Sequence, residues 1–223
     1  MGKVFLRRND QLKKIIATLL SLSLLVPTVA SAEENKETKE TPPVSISSPS
    51  AILINAENGD ILFEKEKNEN YDIASVTKVM TLLIASEELK KGTLKGTDKV
   101  KVSEKAWRMG GSKMFIEVGQ EVAAEELIKG IAIVSGNDAA VALAEHMGGT
   151  EEQFVEKMNA KAKELKMKDT TYYSPNGLGL GDDKHFDTST AKDLALLAKY
   201  YVNAYPENMK IHGMTEYTTK TTT

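Results

Sequence analysis

The chain has 223 residues, of which 41% are hydrophobic and 27% are charged, and this balance indicates a globular protein with one ordinary domain or two small ones. It contains no cysteine, which excludes disulfide bonds, thiol catalysis and cysteine-based zinc sites. Its three histidines, His146, His185 and His212, are far apart and lack an H-x-x-x-H spacing, so we expect neither a metal nor another cofactor.

Residues 1–32 have the order of an export signal. A group of basic residues comes first: Lys3, Arg7, Arg8, Lys13 and Lys14. Residues 15–26 form an apolar core that is too short to span a bilayer comfortably, and Ala30-Ser31-Ala32 resembles a cleavage site. Because this segment carries a net charge of +4 and the whole chain −3, the remainder carries −7, so we expect no binding to nucleic acid.

The composition then divides the rest of the chain. Residues 33–49 are rich in Glu, Lys, Thr, Pro and Ser, which predicts a disordered linker. The folded domain is expected over residues 50–217, and residues 218–223 are a threonine-rich, irregular tail.

The first folded elements are a hairpin and a helix. The two strands of the hairpin are predicted over residues 51–55 and 61–64. After an irregular segment over residues 68–74, apolar residues recur at helical spacing until Lys90-Lys91-Gly92, a typical helix C-terminus. Ser75 therefore lies in the first turn of a predicted helix.

Helices dominate the remainder of the domain. Apolar spacing predicts helices over residues 124–133 and 190–203 and a further one through residues 139–144. Another helix is predicted to begin at a capping box formed by Thr150 and Gln153. Residues 99–102 and 114–116 alternate like strands. The sequence predicts no later strands to complete a sheet, and a two-stranded hairpin is marginally stable alone.

Ser75 and Lys78 are the first candidate chemical pair. Residues three apart share a helix face, so the hydroxyl and the amine can meet. A buried lysine with a lowered pKa can take the proton of a serine, and the helix N-terminus favours negative charge there. The alternative is a helix cap at Ser75 and a solvated Lys78.

Ser135-Gly136-Asn137 is the second candidate element. It interrupts an apolar helical run with a polar corner, which can direct a hydroxyl and a carboxamide into a cleft. Ser135 could relay a proton, and Asn137 could bind a peptide carbonyl and hold the lysine. The alternative is that Asn137 caps the next helix and Ser135 fills a turn.

Together these stretches resemble the serine-type D-alanyl-D-alanine carboxypeptidases, the low-molecular-mass penicillin-binding proteins. Further matches lie in the opening hairpin, in Gly110-Gly111-Ser112 with Met114-Phe115, and in residues 175–178 followed by His185 and Thr190-Ala191. The resemblance spans about residues 48–217. It implies an α+β fold of the β-lactamase/transpeptidase type, a helical cluster on an antiparallel sheet, with the sheet incomplete here.

The resemblance also implies a mechanism. Ser75 would be acylated by a peptidoglycan stem peptide ending in D-Ala-D-Ala, or by a β-lactam, and its N–H would be one oxyanion donor. Lys78 would be the general base, Ser135 the proton relay, and Asn137 a substrate-binding residue. The protein would be exported and extracytoplasmic, trimming stem peptides during cell-wall synthesis. His185 and Ser112 match family positions, but we assign them no chemistry.

The family's third motif, K-T-G, is not matched. Lys220-Thr221-Thr222 begins like it, but no Gly follows. The family's later strands, its small β-domain and its amphipathic membrane anchor are not found either, so the sequence suggests a truncated member without membrane contact once the signal is removed.

Two alternatives to the carboxypeptidase stay open. One is a non-catalytic fragment of that family. The other is a class A β-lactamase, although Gly136 replaces the Asp that is usual in its second motif and no E-x-x-L-N stretch follows.

Overall fold

The computed structural model describes residues 45–182 and 184–218. From Ser47 onward the described residues belong to one compact unit. The predicted export signal, the linker up to residue 44, and Lys220-Thr221-Thr222 lie outside the described residues. Within the described part of the chain, no helix is long and apolar enough to cross a membrane.

The opening hairpin is confirmed. Strand β1, Ala51–Ile54, pairs antiparallel with β2, Ile61–Lys65, and the register shifts by a bulge between Leu53 and Ile54. Neither strand has a fully buried residue. The hairpin therefore lies at the surface of the domain.

Helix α1, Lys78–Lys91, is the central helix. Nine of its residues are buried, on all sides of the helix, so neighbours surround it. It ends at Gly92, which adopts the left-handed conformation with a φ of 76° and caps the last carbonyls. Ser75 lies one turn earlier, in a 3₁₀ turn over Ala74–Thr77, rather than in the first α-helical turn.

Four further helices pack in this cluster, and short helices α2, Glu104–Trp107, and α7, Met209–His212, accompany them. They are α3, Ala124–Val134, α4, Asn137–Gly148, α5, Glu151–Glu164, and α6, Ala191–Ala204. The predicted cap of α5 is confirmed, because the Thr150 hydroxyl accepts a hydrogen bond from Gln153 N–H at 3.2 Å. Helix α4 is the most enclosed of the four, with nine buried residues.

Two more antiparallel pairs connect distant parts of the chain. Strand β4, Lys99–Lys101, pairs with β5, Glu121–Ala123, and β3, Asn70–Asp72, pairs with β6, Thr188–Thr190. The strand predicted over residues 99–102 is confirmed as β4. Strands β3, β5 and β6 were not predicted, because strands of three residues carry little alternation in sequence. Among the described residues, no further strand pairs with the opening hairpin.

The strand-like prediction for residues 114–116 is wrong. This stretch is irregular, and its backbone N–H groups donate to the carboxylate of Asp138 instead of to a neighbouring strand. The fold as a whole is α+β, as predicted, with a helical core and small antiparallel sheets around it.

Candidate active site

Ser75 lies in a backbone turn that is held from two sides. The residue before it, Ala74, has a φ of +43°, which an L-residue adopts only when its surroundings require it. Gly177 packs directly under this turn, and a Cβ at Gly177 would lie 1.9 Å from the Ala74 carbonyl oxygen. Only glycine permits this approach, so the two segments fix the position of Ser75.

Lys78 is buried beside Ser75. Its side chain is 3% exposed, its Nζ donates to Ser75 Oγ at 3.1 Å, and it donates to the Asn176 carbonyl at 2.7 Å. The solvated-lysine alternative is therefore wrong. Burial lowers the pKa of Lys78 from 10.5 to about 8, although the charge of Asp187 opposes this shift. A substantial fraction of the amine is thus neutral at mildly alkaline pH.

The turn over residues 174–179 presents two carbonyls to helix α1. The Asn176 carbonyl meets Lys78, and the Pro175 carbonyl accepts from the Thr81 hydroxyl at 2.7 Å. Lys78 and Thr81 are three residues apart and so share one face of the helix. The turn is consequently fastened to the same helix that carries the candidate base.

The second candidate element forms a corner between α3 and α4. Ser135 ends α3 in the left-handed conformation with a φ of 56°. Its Oγ is buried and, among the described residues, has no hydrogen-bond partner. An unpartnered buried hydroxyl is costly, and it is consistent with a group kept for an incoming ligand.

Asn137 does not cap α4. Gly136 occupies the cap position, and Asn137 Nδ2 donates instead to the Gly110 carbonyl at 2.7 Å. Asn137 N–H also donates to the Ser112 carbonyl at 2.8 Å. The buried Oδ1 atom of Asn137 has no partner in the described part of the chain. Its role as a cap is therefore excluded, and its free acceptor remains available.

Asp138, which the sequence patterns did not single out, connects this corner to the loop over residues 110–116. Fully buried, it accepts from Met114 N–H at 2.8 Å and from Phe115 N–H at 2.8 Å. Its sequence signal was an acidic residue directly after the Ser-Gly-Asn corner.

The described contacts join the two candidate elements only indirectly. Ser75 and Lys78 touch each other, and Asn176 links Lys78 to Met109 by a 3.4 Å contact from Nδ2 to Sδ. Met109 precedes Gly110, whose carbonyl accepts from Asn137 Nδ2. Hydrogen bonds thus connect Asn137 with the Lys78 side of the site, whereas Ser135 is not bonded to either Ser75 or Lys78.

His185 and Ser112, to which we assign no chemistry, make contacts within the fold. The His185 ring lies 2.7 Å from a carboxylate oxygen of Asp182 on the surface, and the Ser112 backbone receives Asn137. In the described ranges no group of histidine and acidic residues could hold a metal ion.

Comparison with known proteins identifies the family. The family model described as D-alanyl-D-alanine carboxypeptidase, peptidase family S11, matches residues 34–223. The chain belongs to this family of serine peptidases. This membership favours the carboxypeptidase family over the class A β-lactamase alternative.

Relatives of the S11 family extend the comparison. The D-alanyl-D-alanine carboxypeptidase DacF of Bacillus subtilis is 42% identical over 93% of this chain and 50% of its own length. The structure of penicillin-binding protein 5 from Haemophilus influenzae is 33% identical, with a TM-score of 0.75 over 82% of this chain and 53% of that one. Penicillin-binding protein D2 from Listeria monocytogenes, in its ampicillin-bound form, is 28% identical, with a TM-score of 0.68 over 77% and 68%. The chain spans about half of the length of the curated relatives that it matches.

Proposed function

We propose that the chain acts as a serine D-Ala-D-Ala carboxypeptidase that removes the terminal D-alanine of peptidoglycan stem peptides and is acylated by β-lactams. The observation that carries this proposal is the contact of 3.1 Å between Lys78 Nζ and Ser75 Oγ, with the amine buried and its pKa lowered to about 8. A neutral amine at this distance can accept the serine proton. Family membership supplies the substrate class.

The reaction would proceed in two halves. Ser75 Oγ attacks the carbonyl carbon of the penultimate D-alanine while Lys78 takes its proton, and the peptide C–N bond breaks as the leaving amine of D-alanine receives a proton. Water then attacks the ester, and Ser75 regains its hydroxyl. Ser75 N–H would stabilise the oxyanion, as backbone donors do in acyl transfer. In this scheme Ser135 relays the proton from the Lys78 amine to the leaving amine. Because Asn137 Nδ2 donates to the Gly110 carbonyl, we propose that Asn137 Oδ1 accepts from an amide N–H of the substrate, in place of the peptide-carbonyl contact expected from sequence.

The proposed location is outside the cytoplasm. Residues 1–32 have the features of an export signal, and the substrate of the family is a component of the cell envelope.

A second candidate is a module that binds the stem peptide without turning it over. The unpartnered Ser135 Oγ favours it, because a hydroxyl that does not contact Lys78 cannot carry a proton from this amine to the leaving group in this arrangement. Acylation without product release would be its signature.

The deciding experiment is labelling of the purified chain with a fluorescent penicillin, followed by an assay of D-alanine release. Labelling that is lost in Ser75→Ala and kept in Ser48→Ala, an exposed serine of the N-terminal segment, is the expected result. Circular dichroism confirms that each variant is folded. A folded chain that is not labelled contradicts the proposal, and labelling without D-alanine release supports the second candidate.

A further inference from the structure

Asp187 is a buried carboxylate that the proposed mechanism does not use. It is 1% exposed and lies just before β6. One oxygen accepts from Ser174 N–H at 2.9 Å, and the other accepts from the Ser174 hydroxyl at 2.6 Å. The first oxygen also accepts from Tyr173 N–H. Every partner donates, which is the environment of an ionised carboxylate.

Ser174 connects the Asp187 carboxylate to the backbone of the turn over residues 174–179. Because its hydroxyl proton points to Asp187, its oxygen is free to accept, and it receives Gly177 N–H at 3.0 Å and Gly179 N–H at 3.2 Å. This hydrogen-bonded segment contains the Asn176 carbonyl, which accepts from Lys78, and Gly177, which packs under Ala74. One serine therefore shapes the part of the turn that faces the candidate nucleophile and base.

The backbone of Asp187 is also hydrogen-bonded to the segment that leads into the Ser75 turn. Pairing of β3 with β6 places Asp72 opposite Thr188, and Ile73 N–H donates to the Asp187 carbonyl at 2.9 Å. Ala74 and Ser75 follow at once. Asp187 thus contacts both chain segments that enclose Lys78.

Its charge reaches Lys78 as well. The amine donates to the Ser75 hydroxyl and to the Asn176 carbonyl, and the charge of the Asp187 carboxylate acts on it. Helices α3, α4, α5 and α6 pack on α1, yet within the described part of the chain only Asp187 acts on Lys78 by its charge. A negative charge favours the ammonium form and partly offsets the effect of burial.

We propose that Asp187, acting through Ser174, is a positioning residue for Lys78: it holds the turn that presents the Asn176 carbonyl to the amine and that packs against the Ser75 turn. The inference rests on the proposed function only for its catalytic meaning. Its structural content concerns Lys78 alone and can be measured without substrate.

Asp193 provides a matched control. It is also 1% exposed, but its Oδ2 accepts from Asp169 N–H at 2.8 Å and from the Thr170 hydroxyl at 2.9 Å, away from the turn. Its charge does not act on Lys78. Replacing either aspartate by asparagine removes a buried charge and a set of accepted hydrogen bonds, so a general loss of stability affects both variants.

The experiment is titration of the Lys78 side chain by NMR in the full chain labelled with carbon-13 lysine, with Lys78→Arg to assign the signal. Asp187→Asn is expected to lower the pKa of Lys78 by about one pH unit, because the charge is lost and an amide N–H would face the Ser174 hydroxyl. Ser174→Ala keeps the charge but frees the turn, so the expected decrease is about half a unit. Asp193→Asn is expected to leave the titration unchanged.

The outcomes separate this inference from the proposed function. A Lys78 titration in Asp187→Asn that matches the wild type overturns the inference, even if penicillin still labels the chain. If Asp187→Asn does not fold, Ser174→Ala decides: a titration equal to that of Asp193→Asn overturns the inference, and a lower pKa supports it. If the shifts appear but penicillin labels no variant, the proposed function fails and the positioning role stands. Where penicillin labels the chain, the labelling rate should rise with pH as Lys78 loses its proton. In each variant this rise should move to lower pH by the same amount as the Lys78 pKa.

Discussion

Lys78 is the residue at which stability and chemistry oppose each other. A buried ammonium is expensive, and within the described residues only a carbonyl, a hydroxyl and the charge of Asp187 compensate for its burial. The resulting pKa of about 8, against an ordinary 10.5, corresponds to about 3 kcal/mol of unfavourable free energy in the protonated state. That cost is what makes the neutral amine accessible as a base.

This cost predicts a pH-dependent effect of Lys78→Met. Between pH 8 and 10.5 the unfolded chain binds more protons at this residue than the folded chain, so this residue's contribution to stability rises with pH. Below pH 8 the penalty is fully present. The stability gained by Lys78→Met over wild type should therefore fall by about 3 kcal/mol from pH 7 to pH 10.5.

Urea unfolding at several pH values measures this difference directly. Lys95→Met, at an exposed position, controls for the loss of a lysine in general. A stability difference between Lys78→Met and wild type that stays constant over the whole pH range would contradict the prediction.

Asp138 gives a second prediction for a single residue. Its carboxylate accepts from Met114, Phe115 and Ile116 N–H groups and from its own helix at Ala139. Asparagine keeps one acceptor oxygen and turns an N–H group toward other donors, so Asp138→Asn should cost about 3 kcal/mol.

Chemical denaturation tests this cost, with Asp98→Asn as the control. Asp98 is only half-buried, and its carboxylate accepts from a single backbone amide, Lys95 N–H at 2.8 Å, so its replacement should cost about 1 kcal/mol. Equal midpoints for the two variants would show that the loop over residues 110–116 does not depend on the Asp138 charge.

At the scale of elements, the turn over residues 174–179 and the 3₁₀ turn of Ser75 depend on each other. Gly177 has a φ of +91°, and an added Cβ would overlap the Ala74 carbonyl. Gly177→Ala should therefore displace the Ser75 turn and reduce penicillin acylation at least roughly tenfold, in addition to about 1 kcal/mol for the left-handed backbone.

Gly119→Ala isolates the backbone contribution. Gly119 has a φ of +79°, but nothing lies within 4 Å of its added Cβ. It should lose about 1 kcal/mol of stability and keep its acylation rate. If both variants are acylated at the same rate, contact between the two turns does not position Ser75.

Elements with a local sequence signal could be predicted, whereas strands that only tertiary pairing defines could not. The hairpin, α1, α3 and the Thr150 cap follow from spacing and capping residues that act locally. Strands β3, β5 and β6 have three residues each, and tertiary pairing alone defines them. At residues 114–116 the carboxylate of Asp138 replaced the expected strand partner.

The contacts of the site likewise divide into those that local sequence spacing predicts and those that only the tertiary fold creates. The pairing of Ser75 with Lys78 follows from the helical spacing of three residues, and the structure brings the two together. Asp187 and Ser174 could not be assigned from sequence, because 13 residues separate them and β3–β6 pairing brings them to the Ser75 turn. Local patterns contain no information on such a contact.

At the scale of the whole described chain, burial is concentrated in helices. Nine residues of α1 and nine of α4 are buried, whereas β1 and β2 contain none that is fully buried. Leu53, Ile61 and Leu62 of the hairpin are exposed. Because a two-stranded hairpin has little stability of its own, the helical core rather than the sheets must provide the cooperative unit.

Hydrogen exchange followed by mass spectrometry tests this division. Amides in α1 and α4 should exchange only through global unfolding and share the highest protection, because their hydrogen bonds lie among packed side chains. Amides of β1–β2 should exchange through local opening, at rates that respond weakly to low concentrations of urea. The Asp138→Asn variant supplies an internal check, since global destabilisation should accelerate α1 and α4 and leave the hairpin nearly unchanged. Hairpin amides that are as protected as those of α1, and equally sensitive to urea, would show instead that the strands belong to the same cooperative unit as the helices.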